Sequence, residues 1–233
     1  GEQAEDLQRH LNERYGESLG VEFRTYPAMR YGHPFAEEAA AQMAEDDLDK
    51  VVLVPSYPQY STSTTGSALA YWRALGEAGE RPTWPSTAVV EYAANPKYVQ
   101  AVSERIDEAL QRFPREVRDD VALVFSAHDT SFRDRGDRDD SYCCLVHSTV
   151  EQVMGHRDHD RPFHTAFQSM IGPSHWHSPS TPDTLDALAE EGHTAVLMVP
   201  ITHVTDHVNT SYELDIELRE AAEVRGIRHY EVT

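Results

Sequence analysis

Four apolar runs constrain the fold most: DKVVLVPSY (49–57), DVALVFSAH (120–128), HTAFQSM (164–170) and HTAVLMVPI (193–201). Each is too short for a core helix, and the apolar residues are nearly continuous rather than alternating. Such strands are covered on both faces, which is the habit of a parallel sheet with helical crossovers. The intervening segments supply the helices. PFAEEAAAQMAED (34–46), PKYVQAVSERIDEALQRF (96–113), residues 141–154, TPDTLDALAEEG (181–192) and DHVNTSYELDIELREAAEVRG (206–226) have helical spacing. Pro96 suits a first helical position. At the amino end, AEDLQRHLNERYG (4–16) predicts a helix closed by Gly16, and VEFRTY (21–26) alternates like a strand. IRHYEV (227–232) predicts a last strand. Strand–helix alternation of this kind specifies an α/β fold. A chain of 233 residues has room for one large domain of that class or two small ones.

In open parallel sheets ligands sit beyond the carboxyl ends of the strands. Three strand ends here carry unusual polar residues: PSYPQYS after Val54, SAHD after Phe125 and PITHVTDH after Val199. Three such ends argue for one shared cleft. The first continues as YSTSTTGS, a density of rings and hydroxyls that a plain surface loop does not need. It suits the floor of a pocket for a flat ligand with a polar edge. A helix start whose Ser63–Ser67 hydroxyls cap their own backbone accounts for part of it equally well. There is no G-x-G-x-x-G, P-loop or G-x-S-x-G, so the dinucleotide, nucleoside triphosphate and α/β-hydrolase readings lack their usual warrant.

The formal net charge of -20 argues against nucleic acid as a partner, because phosphates need Lys and Arg. The only lysines are Lys50 and Lys97. An acidic, lysine-poor surface fits a salt-adapted cytosol, and compositional drift explains it as well. The two cysteines, Cys143 and Cys144, are adjacent and badly placed to pair, so reduced, buried thiols are expected. GEQAEDLQRH is polar and acidic, and a cytoplasmic location is expected.

At the strand ends the sequence resembles the ferrochelatases, enzymes that insert ferrous iron into a porphyrin. The matching segments are AMRYGHPF (28–35), VPSYPQYSTSTTGS (54–67), FSAHDTS (125–131), AFQSMIGPSHWHSPST (166–181) and PITHVTDHVNTSYELDIELREAAEVRGI (200–227), in the family's order. The resemblance implies two similar Rossmann-like halves, each a parallel sheet flanked by helices, with a porphyrin cleft between them. Residues 1–95 would form the first half, without the family's amino-terminal strand. Residues 96–233 would form the second, with its carboxyl-terminal helix packing across the cleft.

The resemblance also implies roles. His128 takes the position of the family's active-site histidine, as iron ligand or proton acceptor, and imidazole suits both tasks. Asn209, Glu213 and Glu217 recur every four residues on one helix face, where the family has a carboxylate path for metal or protons. The catalytic set is then His128, Asn209 and Glu213, and the metal set His128, Glu213 and Glu217. A solvated acidic stripe is the plainer account of that face in so acidic a chain. Substrate contacts fall to Tyr31, to Tyr57, Gln59, Tyr60, Ser61, Thr64 and Thr65, to Ser126, and to Gln168, Ser169 and Trp176. Iron is a substrate, and no tightly bound cofactor is implied. Porphyrin and ferrous iron are the partners, with a peripheral contact to a membrane surface as a further expectation.

Several positions depart from the family pattern. Asn209 stands where the family has a catalytic glutamate, and Asn cannot accept a proton in that way. Asp129 replaces a glycine, Gly32 a tryptophan, His177 a leucine and His203 a phenylalanine. Asp129, His203 or His177 would replace the missing base or ligand, or the site would bind a tetrapyrrole or haem without catalysis. A zinc hydrolase built on the extra histidines lacks any H-E-x-x-H spacing.

Overall fold

A computed structural model describes residues 2–129, 141–168, 177–205 and 209–233, with backbone only for 209–211. The chain divides into two compact units, residues 1–54 with 66–89 and residues 55–65 with 90–233. The sequence reading puts one boundary at 95/96; the contacts divide the chain at three points instead. The reason is that residues 55–65 bond within the second unit: Tyr92 N–H donates to Pro58 O at 3.1 Å, and Gln59 Nε2 to Ile201 O at 3.2 Å.

The first unit opens with α1 (Glu2–Leu11), a π-helical turn (Asn12–Gly16) and α2 (Glu17–Leu19). Gly20, at φ 65°, ends this helical stretch in the left-handed region that glycine tolerates. Residues 21–26 form no strand, against the alternation in the sequence. Their main chain is satisfied by α1 and π-turn side chains instead. Phe23 N–H donates to Asn12 Oδ1 at 2.8 Å, Asn12 Nδ2 to Phe23 O at 2.7 Å, and Thr25 N–H to Gln8 Oε1 at 2.8 Å. Side-chain amides thus fill the place of a neighbouring strand. Further along are α3 (Ala36–Ala44), β1 (Val51–Leu53), α4 (Ser67–Glu77) and β2 (Ser86–Ala88), with β1 and β2 paired in parallel. Phe35 N–H donates to the Glu38 carboxylate at 2.6 Å and fixes the start of α3. Ala36, Ala40, Met43, Val51, Trp72 and Leu75 make the core. Trp84 stacks on Trp72 with ring centroids 6.4 Å apart.

The second unit holds α5 (Pro96–Leu110), β3 (Ala122–His128), α6 (Tyr142–His156), β4 (Phe163–Gln168), α7 (Thr181–Glu190), β5 (Ala195–Pro200), α8 (Leu218–Val224) and β6 (His229–Val232). Asn95 caps α5 and Ser180 caps α7 through their side chains, each with proline in the first turn. The four strands form an all-parallel sheet in the order β4-β3-β5-β6. Alternation along β3 explains its continuous hydrophobicity. Leu123, Phe125 and Ala127 pack with Ile106 of α5 and Val146, Val150 and Met154 of α6. Ala122 and Val124 pack with Leu185 of α7 and Leu218 of α8. The expected helix 206–226 is π-helical over Asn209–Glu217 before α8 begins. Cys143 is half-buried and Cys144 exposed, so neither thiol is fully buried as expected, because the start of α6 turns the second toward the surface.

Three tyrosines of this unit are wholly or partly withdrawn from water: Tyr230 is buried, and Tyr92 and Tyr98 are half-buried. Burial pushes the Tyr92 phenol up to about 12 and raises Tyr98 and Tyr230 as well, the last while its hydroxyl donates to Leu214 O at 2.6 Å. A raised phenol stays protonated in the folded chain after the unfolded one has ionised. Stability is therefore fully present below about pH 10 and falls above it. Each such tyrosine steepens the fall by up to about 1.4 kcal/mol per pH unit. Urea unfolding between pH 8 and 11.5 checks this; Tyr230→Phe should remove one tyrosine's share of the alkaline slope.

Candidate active site

The register of the second unit's sheet builds the site. Ser126 of β3 lies opposite Pro200 of β5, so two residues further along each strand His128 comes level with Thr202. The ladder continues one step past the strand, with Ile201 N–H donating to Ser126 O at 3.0 Å. His128 N–H then donates to Thr202 Oγ1 at 3.1 Å. From α6 the Tyr142 hydroxyl donates to His128 O at 2.7 Å. The His128 and His203 rings meet edge to face with centroids 6.1 Å apart. Tyr57, Gln59 and Thr64 complete a pocket of about 50 Å³ with His128, Tyr142, Thr202 and His203. All of these residues belong to the second unit.

Gln59 is the anchor of the 55–65 segment. It is buried, and its Nε2 donates to Thr149 Oγ1 at 3.1 Å and to Ile201 O at 3.2 Å. Tyr98 OH donates to the same carbonyl at 2.9 Å. Gln59 Oε1 has no hydrogen-bond partner among the described residues. A buried acceptor left so costs roughly 1–3 kcal/mol, which a donor entering the pocket would recover. Tyr57 is 42% exposed at the pocket's edge. The volume suits a cation or one or two waters, and is far below the roughly 300–1,000 Å³ of a cofactor-sized pocket.

The remaining expected residues divide. Ser61 is buried and bonded to Ser63 Oγ at 2.8 Å and Thr64 Oγ1 at 3.2 Å, a local hydroxyl cluster. Thr65 is buried, and Tyr60 is half-buried outside the pocket lining. Ser126 and Gln168 bond to each other at 2.6 Å inside the fold, with Thr181 Oγ1 3.4 Å from the serine. Tyr31 belongs to the first unit, is 79% exposed and lies under the Arg30 guanidinium at 5.0 Å. Glu213 is half-buried and Glu217 exposed. Among the described residues no group of three or more His, Cys, Asp or Glu side chains is arranged to hold a metal. Ser169, Trp176 and the Asn209 side chain lie outside the described residues. Asp129 is no open base: His177 N–H donates to its Oδ2 at 2.7 Å, and His177 Nδ1 lies 2.5 Å from Oδ1. Sequence reasoning missed Tyr142 and Thr202. Thr202 had a visible signal in PITH, two residues past a strand whose neighbour ends in histidine.

A family model described as Ferrochelatase matches residues 1–233. The chain belongs to the ferrochelatase family. It is 40% identical over 217 residues to the ferrochelatase of Geotalea uraniireducens (strain Rf4), covering 92% of this chain and 66% of that one. It is 37% identical over 213 residues to the mitochondrial ferrochelatase of Homo sapiens, covering 88% of this chain and 50% of that one. The mitochondrial ferrochelatase of Gallus gallus is 37% identical over 195 residues, 82% of this chain and 48% of that one. The chain thus spans about half to two thirds of the length of these relatives. Among solved structures, SirB from Bacillus subtilis with Fe3+ superposes with a TM-score of 0.59 at 13% identity, covering 98% of this chain and 82% of that one. That likeness bears on the fold alone and agrees with the parallel-sheet α/β architecture.

The bond from His128 N–H to Thr202 carries a stability prediction. Thr202→Val keeps the shape but leaves a partly buried N–H without that acceptor, and should cost roughly 1 kcal/mol in urea unfolding. Thr202→Ser, which keeps the hydroxyl, should lose well under half as much.

Proposed function

We propose that the chain inserts ferrous iron into a porphyrin, protoporphyrin IX or coproporphyrin III, in haem biosynthesis. The observation that carries this reading is family membership across the whole chain, with His128 lying in a cation-sized pocket. Insertion exchanges two pyrrole protons for one Fe2+, so the site must offer a ligand for iron and acceptors for two protons. A neutral imidazole serves as either. His128 is the residue we assign to meet the incoming metal, and His203 supplies a second imidazole in the same pocket. Tyr57 and Thr64 sit at the pocket with an exposed ring and a hydroxyl, the groups that suit a flat apolar disc with a polar rim. Glu213 and Glu217 are the carboxylates assigned to the metal or proton path.

Porphyrin and ferrous iron are the partners under this reading, and the acidic charge argues against nucleic acid. We place the activity in the cytoplasm, with a peripheral membrane contact because porphyrins partition into bilayers. No helix among the described residues is long and apolar enough to cross a membrane.

Anaerobic Fe2+ with protoporphyrin IX or coproporphyrin III tests the reading through loss of free-base porphyrin fluorescence. Multiple turnovers are expected, and His128→Ala should abolish them without unfolding the chain. Stoichiometric quenching without turnover would instead make the protein a tetrapyrrole binder.

Asn209 gives a sharper expectation. A positioned general base is worth ~10²–10⁴-fold in rate. Asn209→Glu should raise kcat within that range and leave porphyrin affinity nearly unchanged, since the base acts only in the transition state. A neutral or harmful effect would mean that another group already takes the proton.

A further inference from the structure

Asp129 presents a physical problem. Its side chain is 0% exposed, and a carboxylate removed from water is costly unless it is paired and hydrogen-bonded. His177 supplies compensation twice over. It offers its backbone N–H to Oδ2 at 2.7 Å and its ring Nδ1 to Oδ1 at 2.5 Å. A carboxylate only accepts, so Nδ1 is the donor in that contact. The His177 ring is itself fixed, stacked on Phe167 with centroids 4.8 Å apart and planes 26° from parallel. Phe167 is locked in turn, opposite Ala127 in the sheet and with its N–H on Pro179 O at 3.0 Å.

Stability is a poor reason for such a pair. Replacing a buried ion pair by apolar residues of similar volume is often neutral or stabilising, whereas removing one partner is strongly destabilising. The location suggests another reason. Asp129 directly succeeds His128, and its own N–H donates to Gln168 O at 3.0 Å. Together with the bonds from Thr202 and Tyr142, this pins the main chain on both sides of the His128 Cα. β3 ends at His128, so the strand itself gives no hold on the side chain of residue 129.

We propose that Asp129 and His177 act as a single positioning pair that fixes the backbone, and hence the imidazole, of His128. The inference rests on the proposed function in one respect: His128 is the residue that meets iron and porphyrin. Neither Asp129 nor His177 is assigned contact with the reacting atoms. The pair also accounts for two unusual residues at once, since each is costly without the other.

The test uses the full chain with Asp129→Asn, His177→Leu and the Asp129→Ala/His177→Leu double variant. His177→Leu should lower the melting temperature, because the carboxylate stays buried without the imidazole donor. The double variant should recover most of that loss. Its kcat should nevertheless stay about 10- to 100-fold below the wild type with porphyrin KM unchanged, the expected effect of misplacing a reacting group by about 1 Å. Recovery of kcat along with the melting temperature would overturn the proposal and leave a purely structural pair. A second measurement needs no activity. The ring proton–nitrogen NMR signals of His128, assigned with His128→Ala, should shift or double in Asp129→Asn, which keeps the packing volume; unchanged signals would also overturn it. If the wild type inserts no iron, the proposed function falls, and the NMR comparison still decides the role of the pair.

Discussion

The parallel pairing of β3 with β5 is the constraint on which the site depends. Because Ser126 lies opposite Pro200, the polar residues at the end of each strand emerge at one level, and His128 meets Thr202 and His203 there without any loop having to be aimed. A shift of one residue in that register would turn every β3 side chain to the other face. Leu123, Phe125 and Ala127 would leave the α5–α6 side and Ala122 and Val124 the α7–α8 side. The hydrophobic core and the pocket are therefore specified by the same alignment. Burial on both faces fixes the alignment, and the alignment places the imidazoles.

A second layer of control is polar. Tyr142, Thr202 and Gln168 each take one main-chain group at or beside His128. Their elements are separately packed: α6 on one face of the sheet, the β5 end beside β3, and β4 on its other edge. A residue held in this way has little freedom to adjust. These hydrogen bonds engage its main chain and not its ring, so the backbone of His128 is held by groups separate from the imidazole.

Much of the second unit was legible in the sequence, for a physical reason. Its strands are buried on both faces, so VALVFSAH and AVLMVP read as continuous apolar runs, and two of its helices carry a capping residue and proline at their starts. The first unit was harder to read. VEFRTY alternates in the right way for a strand, but Asn12 and Gln8 satisfy its backbone, and that depends on a helix fold-back no periodicity records. β2, with the sequence STA, has neither hydrophobic run nor length to announce it. At the site, His128, Tyr57, Gln59 and Thr64 were readable as strand-end residues with chemistry to offer. The contact of Asp129 with His177 joins positions 48 apart in sequence, and each residue taken alone is only an odd substitution. Tyr142 was hidden because its role is played by one hydroxyl reaching back to a strand from a helix start.

The attachment of residues 55–65 has a consequence for the order of assembly. Gln59 bonds to Ile201, 142 residues later. On a ribosome adding roughly 5–20 residues per second, the early segment waits on the order of 7 to 28 seconds for its carbonyl partner to be made. Through that interval the segment lacks the end of β5, although Tyr92 and Thr149, which also bond to it, are made earlier, and α4 must form with a tether still partly unfilled on its amino side. Closing so distant a contact is also slow in refolding, since loop entropy is spent before the contact returns anything. The pocket is thus among the last parts of the molecule to be finished. A chain stalled before Ile201 would carry Gln59 and His128, two residues that line one pocket, with the strand end that joins them still unmade.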